Sequence, residues 1–88
     1  MKALIFFKPD SEHARVVDEF IHEFRIRSSG KLETVDVNSR DGGASAQLYD
    51  IMQFPAVIAV SDDGQLLQRW QGEPLPLIND VAGYLAAH

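Results

Sequence analysis

Ser11-Glu12-His13 sets a hydroxyl two residues from an imidazole, the pairing from which a nucleophile and its general base are built. The surrounding sequence does not complete that machinery. No Gly-x-Ser-x-Gly elbow frames Ser11, and no acid is identifiable that would orient His13. A metal ion is served no better. His13 and His22 lie nine residues apart, about two and a half helical turns, so they cannot share one small ion from a single helix. These two, with His88, read as solvated histidines. Asp62-Asp63-Gly64 lacks the further oxygen ligands of a calcium loop and reads as a hairpin turn. The chain contains no cysteine, which removes thiolate nucleophiles, disulfides and thiolate metal ligation together. No cofactor is expected.

The elements that must carry these residues fit one domain over residues 1–88, whose fold rests on apolar packing because no staple is available. A net charge of −5 argues against a nucleic-acid surface, which needs clustered Lys and Arg. No apolar run approaches the ~18 residues of a membrane span. The apolar start of the chain ends at Lys8-Pro9-Asp10 with no small-residue cleavage site, so it reads as a strand and the expected location is the cytoplasm.

Residues 3–7 form a continuous apolar run, as a strand buried on both faces does. Asp10 or Ser11 then caps a helix, with Glu12 in its first turn. Val16, Val17, Phe20, Ile21 and Phe24 make its apolar stripe, Glu23 and Arg27 a possible ion pair, and Gly30 a left-handed terminator. Residues 32–37 alternate as a half-exposed strand, and residues 38–43 read as a polar loop. A shorter helix follows over residues 44–53, with Leu48, Ile51 and Met52 inward, ended by Phe54-Pro55. Residues 56–60 and 65–70 are the arms of an antiparallel hairpin around Ser61-Asp62-Asp63-Gly64. A last helix over residues 77–87 turns Leu77, Ile78, Val81, Tyr84 and Leu85 inward. Trp70 is either a partner anchor or covered by that helix.

Several segments, taken with this order, resemble the thioredoxin-like family in its short, glutaredoxin-sized form. They are Phe6-Phe7-Lys8-Pro9-Asp10, Val35-Asp36-Val37-Asn38, Tyr49-Asp50-Ile51-Met52-Gln53-Phe54-Pro55-Ala56 and Gly72, and the resemblance covers essentially the whole chain. It implies an α/β fold of order strand-helix-strand-helix-strand-strand-helix, with a mixed four-stranded sheet flanked by three helices. It breaks at the redox loop, where Ser11 and Ala14 stand at the positions of the family's Cys-x-x-Cys motif.

What the resemblance still implies is a cis Phe54-Pro55 bond and a groove between Ser11 and Phe54, where family members hold glutathione and extended protein substrates. Ser11, Glu12, His13, Phe54 and Pro55 are the residues expected to line it. The expected function is a redox-inactive binding or regulatory module for a protein or peptide partner. The alternative is a glutathione binder, or a glutathione-dependent enzyme using Ser11, although the chain lacks the additional helical domain of the transferases. Ser11 thus reads either as a helix cap or as a glutathione-activating hydroxyl. A third reading makes the hairpin edge an oligomer interface.

Overall fold

In the computed structural model, which describes residues 1–86, the two most apolar runs become the central strands of one sheet. β1 (Lys2–Phe7) and β3 (Ala56–Val60) pair antiparallel. β2 (Leu32–Asp36) lies parallel on the outer side of β1, and β4 (Leu66–Gln71) antiparallel on the outer side of β3. The order is β2-β1-β3-β4. α1 (Ala14–Arg27) is the crossover from β1 to β2, α2 (Arg40–Leu48) joins β2 to β3, and α3 (Ile78–Ala86) follows β4. This is the mixed sheet with three flanking helices that the sequence implies.

Alternate residues of a strand face opposite sides of its sheet, and β1 divides its side chains accordingly. Ala3 and Ile5 join Val57, Val17, Phe20 and Phe24 of α1 and Val81 of α3 in one buried cluster. Leu4 and Phe6 join Ile58, Val60, Ile51 and Ala46 of α2 in the other. The rings of Phe20 and Phe24 stack at 6.0 Å inside the first. Trp70 is half-buried against that cluster and meets Tyr84 of α3 edge-on at 5.6 Å, so the last helix does cover it. No helix among the described residues is long and apolar enough to cross a membrane.

The helix boundaries differ from those expected, for physical reasons. α1 starts at Ala14, and neither Asp10 nor Ser11 caps it. The Ser11 hydroxyl donates instead to the Lys8 carbonyl at 2.7 Å, a local bond that competes with capping. Glu12 therefore precedes the helix, and His13 holds the cap position without a side-chain bond. Val16 is exposed rather than part of the stripe, and the ion pair on α1 is Arg15–Glu19 at 3.7 Å, not Glu23–Arg27. At its far end Ser28 turns extended, and Gly30 is not left-handed.

α2 departs most. It begins inside the expected loop, because Ser39 caps it by accepting the Gly42 N–H at 2.9 Å. Its buried residues are Gly42 and Ala46, whereas Leu48 is 74% and Met52 81% exposed. It ends well before Phe54-Pro55. Asp50 turns left-handed at φ 55, and the N–H groups of Ile51 and Asp50 return to the carbonyls of Ala46 and Gln47 at 2.8 and 3.2 Å. Those two bonds are a Schellman ending. In α3, Val81 is buried as expected, while Leu77 precedes the helix and is exposed, as is Tyr84. Ala87, expected to end α3, and His88 lie outside the described residues.

Candidate functional site

A cleft of about 480 Å³ opens where the chain leaves β1 for α1, opposite the segment that enters β3. One lip carries Ser11, Glu12 and His13, and the other carries Met52 and Phe54. Lys8 and Glu73 complete the lining. The volume lies within the ~300–1,000 Å³ usual for ligand sites.

Lys8 organises the first lip. Its carbonyl accepts both the Ser11 hydroxyl at 2.7 Å and the Ser11 N–H at 3.1 Å, and its N–H donates to His13 Nε2 at 3.1 Å. Ser11 and His13 are thus both bonded to Lys8 backbone and not to each other, so the nucleophile–base pair that their spacing allows is not formed. Each fixes the loop instead. Lys8 also spans the cleft, with its ammonium 5.5 Å from the centroid of the Phe54 ring, a cation–π contact.

The second lip hangs on a side chain from β4. Gln71 Oε1 accepts the N–H groups of Met52 at 2.6 Å and Gln53 at 3.3 Å. The Phe54-Pro55 peptide bond is cis. The Phe54 ring is half-buried against the Leu4–Phe6 cluster. Among the described residues, the N–H and C=O of Phe54 have no hydrogen-bond partner. An unpaired backbone donor and acceptor on one residue can pair with the backbone of an added segment.

Of the five residues expected at the groove, Ser11, Glu12, His13 and Phe54 line it together. Pro55 does not. It is fully buried, and its carbonyl accepts the Gly72 N–H at 2.9 Å. Sequence reasoning missed Lys8, Met52, Glu73 and the supporting Gln71. The sequence pattern places Met52 in a helix that in the structure stops at Leu48, and only the strand order brings Glu73 and Gln71 to this end.

The other candidates resolve as turns and surface. Asp63 accepts from the Ser61 hydroxyl, and that bond, with the Gln65 N–H behind it, holds its carboxyl below the usual carboxylate range. Asp62 pairs with the Met1 amino group. Among the described residues no group of three His, Asp or Glu side chains could hold a metal ion.

No family model matches the sequence, and no curated protein matches it. Solved structures do match. Thioredoxin 1 from the thermophilic eubacterium Thermosipho africanus TCF52B superposes with a TM-score of 0.71 at 15% identity, covering 99% of this chain and 92% of that one. A designed protein gives 0.71 at 18% identity, over 98% of this chain and 73% of that one. Identities this low speak to fold alone. The chain has the thioredoxin-like fold and carries no cysteine anywhere in it.

Proposed function

We propose that this protein is a redox-inactive binding module that takes an extended segment of a partner protein or peptide into the cleft between Ser11 and Phe54. Thiol–disulfide exchange needs a thiolate to attack and a thiol to leave, and this chain supplies neither. The observation that carries the reading is the unpaired N–H and C=O of Phe54 on the wall of the cleft. Backbone pairing there gives affinity, and Met52 and Phe54 give an apolar surface for a partner side chain. The glutathione-dependent reading draws less support from the same geometry. The Ser11 hydroxyl donates to the Lys8 carbonyl, and His13 Nε2 accepts the Lys8 N–H.

The test is selection of binders from a displayed library of random linear peptides, followed by affinity measurement on variants. Binders to the parent protein should lose about tenfold or more on Phe54→Ala, the size of a hot-spot truncation. Because Phe54 also packs on the core, its variant is checked by urea unfolding. Met52→Ala, which removes a side chain the fold does not bury, should weaken the same binders. Recovery of no binder, or full affinity on both variants, would contradict the reading.

A further inference from the structure

The charge layout of the cleft bears on what fills it, given the reading above. Two carboxylates, Glu12 and Glu73, line it against one ammonium, that of Lys8, which already sits over the Phe54 ring. Among the described residues neither glutamate has an ion-pair partner. Arg15, the first cation after Glu12 in the sequence, pairs with Glu19 instead. The His13 imidazole is taken up within the lip itself, where its Nε2 accepts the Lys8 N–H at 3.1 Å. The positive end of α1 would otherwise draw an anion, but Glu12 already stands beside it. Next to these carboxylates lie the apolar side chains of Met52 and Phe54.

We propose that the cleft selects an extended segment carrying a lysine or arginine within two residues of a bulky apolar side chain, and discriminates against anionic ligands. The cation answers Glu12 and Glu73, and the apolar neighbour covers Met52. The net charge of −5 adds long-range attraction for a basic segment and repulsion for an acidic one. Glutathione, with two carboxylates and one ammonium, falls on the disfavoured side.

The displayed peptides decide this separately from the binding reading. Clones selected on the parent protein should be enriched in Lys and Arg beside apolar residues. Their affinity should fall about fivefold on the Glu12→Gln/Glu73→Gln double variant, as expected for partly exposed charge pairs. Added salt should weaken binding to the parent more than to that variant. Both glutamates are exposed, so the variant should fold like the parent. Neutral or acidic clones that lose affinity on Phe54→Ala yet bind the double variant equally well would overturn the charge preference and leave the cleft standing. Clones indifferent to Phe54→Ala and Met52→Ala would remove both.

Discussion

The two faces of the sheet are covered by different means. On one, α1 and α3 press large side chains, Val17, Phe20, Phe24 and Val81, onto Ile5 and Val57. On the other, α2 presents Gly42 and Ala46, so that helix lies close against the backbone at the end of β2. A Cβ at Gly42 would stand 1.9 Å from the Asp36 carbonyl oxygen. Both faces bury apolar area, since Leu4, Phe6, Ile51 and Ile58 fill the second, but only the second also depends on close approach of a helix at a glycine. Cavities therefore damage the first face, whereas at Gly42 on the second it is added atoms that do the damage.

The comparison is broken most severely at Phe24. Phe24→Ala should cost about 3–5 kcal/mol through lost burial and the cavity left behind. Against a total stability of roughly 5–15 kcal/mol, that loss should appear as a large drop in the urea midpoint. A sharper test is Gly42→Ala. Helix propensity alone predicts a gain of about 1 kcal/mol. The contact with Asp36 predicts a net loss of about 2 kcal/mol, since backbone must move away from backbone. A variant more stable than the parent would remove the close-approach account of α2. Smaller still, and of opposite sign, is Asp50→Gly at the left-handed end of α2. Removing a Cβ from that conformation should add about 0.5 kcal/mol by thermal or urea unfolding.

The same contrast explains what could be read in the sequence. Val17, Phe20 and Phe24 repeat at helical spacing, so α1 and its inner face were legible to within a turn. The apolar runs that became β1 and β3 were legible as strands, β1 as one buried on both faces, because their apolar residues are continuous. α2 was not. Asp41-Gly42-Gly43 looks like a loop by propensity, and only the packing of Gly42 on β2 repays the two glycines. Its end was hidden too, because an aspartate rather than a glycine takes the left-handed position. A helix continued through residue 53 would turn Met52 inward, whereas the folded chain leaves it exposed at the cleft.

The cleft draws one lip from each side of this comparison. Ser11 to His13 precede α1, and their place at the cleft followed from the resemblance at the redox loop, whereas the helical pattern alone set the start of α1 too early. Met52 to Phe54 follow α2, and their place depends on the Schellman turn and on Gln71, neither of which carries a periodic signal. The resemblance thus pointed to Ser11, Glu12 and His13 on one lip and Phe54 on the other, while Met52 and Gln71, placed by backbone geometry, carried no signal.

The central claim is that this end of the fold binds an extended segment without thiol chemistry. It is tested most directly by amide chemical-shift titration of the ¹⁵N-labelled protein, first with reduced glutathione and then with a peptide selected on the parent protein. The account predicts no response to glutathione at millimolar concentration, followed by peptide-induced shifts confined to residues 8–14, 52–54 and 71–73. Glutathione shifts at residues 11–14 and 54, or peptide shifts centred on the β4 edge or the α1–α3 surface, would contradict it.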